Sequence, residues 1–136
     1  MVFANYAVGP LVKQETEPLV LVVDDERHIV ALLTELLEDE GYQVVSAYDG
    51  VDALKLVRAH APDLVLADIM MPRLDGLALL SSLRESNAAL PVVLMSAAVT
   101  PLTHEVPYIS KPFDLEELLH VLAQQLASRR DPGSSS

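Results

Sequence analysis

Along this chain, short unbroken apolar runs alternate with longer segments in which apolar residues return every three or four positions. LVLVV (19–23) is continuous and β-branched, the pattern of a strand buried on both faces. Ile29, Val30, Leu32, Leu33, Leu36 and Leu37 then recur at helical spacing, and Gly41 closes that helix. YQVVSA (42–47) reads as a second strand, after which Asp49 caps a helix that carries Ala53, Leu54, Leu56 and Val57 inward. Pro62 opens the strand DLVLA (63–67), which runs into Asp68. Leu77, Leu79, Leu80 and Leu83 mark a third helix. VVLMS (92–96) follows Pro91 as a fourth strand, and a short strand is predicted near Val106–Ser110. Asp114, with Glu117 three residues on, starts a last helix that runs through Leu126.

The order is βαβαβαβ, then an irregular stretch, then βα. Such alternation builds a parallel sheet with helices on both faces, an α/β fold of three layers. In sheets of this kind ligands bind at the carboxyl ends of the strands, where the strand order reverses. Residues 1–18 show no clear period and end in the polar run KQETEP, so they read as an N-terminal extension. Residues 19–127 form the domain, and 128–136 (SRRDPGSSS) read as a flexible C-terminal tail.

Composition narrows the chemistry. Hydrophobic residues make up 51% of the 136, ample for a core, and there is no cysteine, which excludes disulfides and thiolate chemistry. The lack of cysteine is compatible with a reducing cytosol. A formal net charge of −11 repels phosphate backbones and argues against direct nucleic-acid binding. No apolar run approaches the ~20 residues of a membrane helix, so no membrane partner is expected. The apolar N-terminal stretch has its first positive residue only at Lys13, which does not fit a secretory signal.

Position gives the acidic residues meaning. Asp24 and Asp25 follow the first strand and Asp68 follows the third. If those strands are neighbours, the carboxylates converge in one crevice, where they repel unless a cation sits among them. An all-oxygen donor set suits Mg²⁺ or Mn²⁺. Ser96 ends the fourth strand, and Lys111 follows the fifth and precedes Pro112. Alone, an acidic pair after a strand is most often a turn feature, and a lone Ser or Lys there is most often structural or solvated. Together at four strand ends they are the equipment of phosphoryl transfer, with a carboxylate able to act as nucleophile. His28, His60, His104 and His120 show no metal-ligand spacing.

VVDDE (22–26), DIMMPRLDG (68–76), MSA (95–97) and YISKPF (108–113) resemble the receiver domains of bacterial response regulators in two-component signalling. The resemblance spans about residues 19–127. It implies a flavodoxin-like five-stranded sheet of order 2-1-3-4-5 and gives each residue a role. Asp68 would be the phosphoacceptor. Asp25, Asp68 and the backbone carbonyl of Met70 would bind Mg²⁺ (or Mn²⁺), with Asp24 acting through water. Ser96 would bond the phosphoryl oxygens, Lys111 would pair with the phosphate or with Asp68 before it arrives, and Tyr108 would be the switch aromatic. The Lys111–Pro112 bond would be cis, and Pro72 and Gly76 would shape the loop after Asp68. For Tyr108 an ordinary half-buried ring at the sheet edge is an equal reading.

One stretch departs from that family. Receivers carry a fourth helix between the fourth and fifth strands, yet Ser96 and Lys111 are only 15 positions apart, with Pro101 and Pro107 between them. Ten residues wound as helix advance ~15 Å, short of the ~17 Å of a strand, whereas extended they reach ~33 Å. The fourth helix is therefore expected to be absent or reduced. Its loss should uncover apolar sheet surface around Val93 and Met95, open to a second copy in a homodimer, to a partner or to the N-terminal segment.

The expected function is a phosphoacceptor signalling domain rather than an enzyme, with slow self-dephosphorylation. A sensor histidine kinase or phosphotransfer protein would be the donor, and output would be by protein–protein contact in the cytoplasm. Only ten residues follow Leu126, too few for a DNA-binding module, so the chain reads as a stand-alone receiver or an excised piece. The alternative is a phosphorylation-independent scaffold or dimerisation module. A phosphatase of haloacid dehalogenase type would need a second Asp where Met70 stands. A flavodoxin-type flavin carrier would need a Ser/Thr/Gly-rich loop where this chain has DDER.

Overall fold

The computed structural model describes residues 17–71, 73–97, 103 and 105–130. Five strands, β1 (Leu19–Val23), β2 (Gln43–Ala47), β3 (Leu64–Asp68), β4 (Val92–Ser96) and β5 (Tyr108–Ser110), form one sheet. Four helices accompany them among the described residues: α1 (Arg27–Asp39), α2 (Gly50–His60), α3 (Gly76–Ser86) and α4 (Leu115–Arg130). All strand pairs are parallel, in the expected order β2-β1-β3-β4-β5.

The period-two geometry of strands divides the core into two layers. Val20, Val22, Leu64, Leu66, Val93, Met95 and Ile109 pack under Val30, Leu33 and Leu37 of α1 and Leu118, Leu122 and Leu126 of α4. Leu21, Val23, Val65, Ala67, Val92 and Leu94 face the other way, toward Ala53 of α2 and Leu79, Leu80 and Leu83 of α3. Each fully buried Leu or Val stabilises the fold by roughly 1.5–3 kcal/mol relative to exposure. Leu32, although at helical spacing with the α1 core residues, is 44% exposed.

This division corrects one expectation. Val93 and Met95 are fully buried, because their side of β4 lies under α4. The alternate residues Val92 and Leu94 face the opposite side and are buried too, with Val106 in their cluster and Tyr108 packed against it. The described residues between β4 and β5 (97, 103 and 105–107) hold no helical turn. The remainder of that connection, including Pro101 and His104, lies outside the described residues, as do Pro72, residues 1–16 and residues 131–136.

Local signals set the helix ends. Asp49 and Asp75 accept backbone N–H bonds from Asp52 and Ala78, each at 2.9 Å, and Asp114 accepts one from Glu116 at 3.0 Å. Gly41 takes φ 95° just past α1, a left-handed conformation that glycine adopts without a Cβ clash. Helix α4 continues to Arg130, past the end expected at Leu126 and into the segment read as a tail. Ser128, Arg129 and Arg130 include no breaker, and the next proline is Pro132.

Candidate functional site

The site is built where β1, β3, β4 and β5 end side by side. Asp24 follows β1 directly, and its N–H extends the ladder to the carbonyl of Ala47 at 3.2 Å. Asp68 is the last residue of β3 and pairs in register with Met95, one residue before Ser96. On the far side, Ser96 pairs with Ser110 and accepts the N–H of Lys111 at its carbonyl, 2.8 Å away. The parallel ladder therefore brings residues separated by dozens of positions to one rim.

Asp24, Asp25 and Asp68 can each present a carboxylate oxygen within 4.8 Å of the others. Asp24 and Ser96 are sealed from solvent, Asp68 is 5% exposed, and Asp25 is exposed. Lys111 Nζ donates to Asp24 Oδ2 at 2.8 Å and to Asp68 Oδ2 at 3.3 Å, and stands 3.7 Å from Glu26 Oε1. The other oxygen of Asp24 accepts the N–H of Glu26 at 3.0 Å. Lys111 thus contacts both buried carboxylates and stands closer to Asp24 than to Asp68. The Lys111–Pro112 bond is cis.

Burial pushes the Asp68 carboxyl above its ordinary value, and the charge of Asp24 adds to the rise; Lys111 and the N–H of Met70 oppose it. Burial also works against the Lys111 charge. The hydrogen bond and charge of Asp24, followed by those of Asp68, outweigh it and raise the lysine's pKa. The resulting arrangement is a compact excess of negative charge with one fixed cation, and its exposed member, Asp25, opens to water. Oxygen donors at this spacing fit a hard divalent ion, which would relieve the remaining repulsion.

The loop after Asp68 turns back at once. Ile69 N–H reaches the Met95 carbonyl at 2.9 Å, Met70 N–H reaches Asp68 Oδ1 at 3.2 Å, and Gly76 N–H returns to the Ile69 carbonyl at 2.9 Å. A Cβ on Gly76 would sit 2.5 Å from the Asp68 carbonyl oxygen and 2.8 Å from Ile69 Cα. Glycine is required there by that close approach. Met70 carries an exposed side chain, 69% accessible, beside the crevice, and Tyr108 is half-buried against the α2–α3 side of the core. Sequence reading missed Glu26 as a neighbour of Lys111, although it stands in the DDE run. It also missed Arg73, which bonds Asp49 across to α2. His28, His60 and His120 are exposed and lie outside the carboxylate group.

Strand order and crevice together define a flavodoxin-like α/β protein with an acidic site at the carboxyl edge of its sheet. The chain belongs to the response regulator receiver domain family, which matches residues 20–123. It is 38% identical over 122 residues to the transcriptional regulatory protein ZraR of Salmonella typhimurium, covering 85% of this chain and 28% of that protein. It is 42% identical over 108 residues to the response regulator MprA of Mycobacterium sp. (strain KMS), covering 74% of this chain and 46% of that one. The chain thus spans between about a quarter and a half of these curated relatives. Among solved structures, the signal receiver domain of an HD domain-containing protein from Pseudomonas fluorescens Pf-5 superposes with a TM-score of 0.79 at 28% identity, covering 85% of this chain and 98% of that one. No helix among the described residues is long and apolar enough to cross a membrane.

Proposed function

We propose that this domain accepts a phosphoryl group on Asp68 from a phosphohistidine of a sensor kinase or phosphotransfer protein, and that it signals through protein–protein contacts. The observation that carries this reading is the convergence of Asp24, Asp25 and Asp68 with Lys111 in one rim crevice. Proteins of the receiver family work with histidine kinases; which kinase serves this chain is a matter of its own surface.

In the transfer, a carboxylate oxygen of Asp68 forms the new O–P bond as the N–P bond to the donor imidazole breaks and its electron pair returns to the ring. A Mg²⁺ or Mn²⁺ ion held by Asp25, Asp68 and the Met70 carbonyl would neutralise charge on the transferring oxygens. Asp24 suits an indirect role, because both its oxygens are already engaged, by Lys111 and by the Glu26 N–H. Lys111 stands 3.3 Å from Asp68 and would transfer its contact to a phosphoryl oxygen. Ser96, buried at the neighbouring strand end, would bond another, and Tyr108 would follow it inward to change the surface. Hydrolysis later breaks the O–P bond and restores the carboxylate, so the domain turns over slowly without serving as an enzyme for another substrate. The same reading places it in the cytoplasm, and its net charge of −11 disfavours direct contact with nucleic acid.

Mass spectrometry after treatment with acetyl phosphate and Mg²⁺ tests this. One phosphoryl group should appear on the wild type and be lost in Asp68→Asn or on chelation of the metal. A folded chain that stays unmodified would instead be a phosphorylation-independent scaffold.

A further inference from the structure

The loop from Ile69 to Gly76 is closed at its base, but its outer part is tied to a different element. Arg73 Nη2 bonds Asp49 Oδ2 and lies 3.9 Å from Asp52 Oδ1. Asp49 is itself fixed, since its other oxygen caps α2 through the N–H of Asp52. At the same place Gly50 lies so close to Leu74 that a Cβ there would collide with the Leu74 carbonyl oxygen and side chain. Two independent contacts therefore clamp the outer loop to the first turn of α2.

The backbone at Arg73 is informative. It takes φ 65°, in the left-handed region that glycine or asparagine would occupy with less strain. Glycine there would be conformationally easier yet would forfeit the ion pair. Met70, whose N–H bonds Asp68 Oδ1 and whose carbonyl the proposed function assigns to the metal, lies three residues before Arg73 on the same loop.

We propose that Arg73 is a positioning residue: its pairing with Asp49 holds the Ile69–Gly76 loop in register with the Asp24–Asp25–Asp68 crevice and so strengthens divalent-metal binding there. The inference rests on the metal-dependent reading above. It also has a sign of its own. Coulomb's law alone makes a nearby guanidinium repel a cation, so simple loss of the Arg73 charge would tighten metal binding. A latch predicts the reverse.

The test is Mn²⁺ titration of the full chain, followed by the electron paramagnetic resonance signal of the free ion, with thermal unfolding measured in parallel. Arg73→Gly should weaken Mn²⁺ binding about two- to fivefold, the scale of one exposed ion pair, while leaving the metal-free melting temperature unchanged or higher. Arg73→Gln should weaken binding similarly, and Arg73→Lys, which keeps the charge without the fork, should fall between. Asp49→Asn keeps the capping oxygen and loses the ion pair, so in that background Arg73→Gly should cause no further weakening. Mn²⁺ affinity in Arg73→Gly and Arg73→Gln equal to or tighter than wild type would overturn the latch alone. A wild type that binds no Mn²⁺ would overturn the latch and the metal-dependent function together.

Discussion

Asp24 and Asp25 are consecutive residues, yet one is sealed from solvent and pinned from two sides while the other is exposed. The rim divides in the same way. Asp24, Asp68, Ser96 and Lys111 are held at the strand ends by strand register and by a partly buried ion pair. Asp25, after β1, and Met70 and Arg73, after β3, are exposed to solvent, and Arg73 bonds Asp49 at the start of α2. The buried half sets the charge balance before any ligand arrives. The exposed half is where an ion and a phosphodonor would enter, and its geometry is held by weaker contacts.

The largest effect should come from breaking the buried half. Lys111→Met leaves Asp24 and Asp68 without their cation. We expect a loss of about 3 kcal/mol, at the low end for a broken buried pair because Lys111 keeps some exposure, seen as an earlier urea midpoint in metal-free buffer and partly restored by Mg²⁺. Gly76→Ala attacks the junction between the halves. The added methyl meets backbone atoms that cannot swing away, so a loss of about 2 kcal/mol is expected from overpacking, together with weaker Mn²⁺ binding. Asp68→Asn should act in the opposite direction. It removes one of the converging charges, so the metal-free protein should gain on the order of 1 kcal/mol, an ordinary scale for a point change, while its stabilisation by Mg²⁺ shrinks.

The smallest effect concerns the exposed half and pH. The N–H of Asp52 chiefly, with burial opposing it and Arg73 assisting, holds the Asp49 carboxyl below its ordinary value of 3.8. Its contribution to stability is therefore present above that value and is lost as pH falls through the lower folded-state pKa. Asp49→Asn should flatten the acid limb of the stability curve slightly below pH 3.8 and leave neutral stability within about 0.5 kcal/mol of wild type. A steep change at neutral pH would show that Asp49 does more than cap and pair.

The sheet and the rim were legible because strand ends can be counted. Continuous runs such as LVLVV and VVLMS mark buried parallel strands, and the residue after each must lie at the carboxyl edge. The same continuity hid which face each residue takes. Val92 to Met95 are apolar on both sides, so nothing in the run says that Val93 and Met95 lie under α4. Lys111 could be assigned to the rim but not to Asp24 over Asp68, since that choice depends on side-chain reach across β1 and β3. Arg73 reads as an ordinary surface charge, because only the fold brings it to Asp49, 24 positions earlier.

Helix α3 starts against the main chain of Asp68 with no space for one methyl group between them. The Asp68 backbone is thus in direct contact with the first residue of an 11-residue helix about 16 Å long. A tilt of about 4° at that contact would carry the far end of the helix by roughly 1 Å. A displacement of the Asp68 main chain would be passed by direct contact to the start of α3.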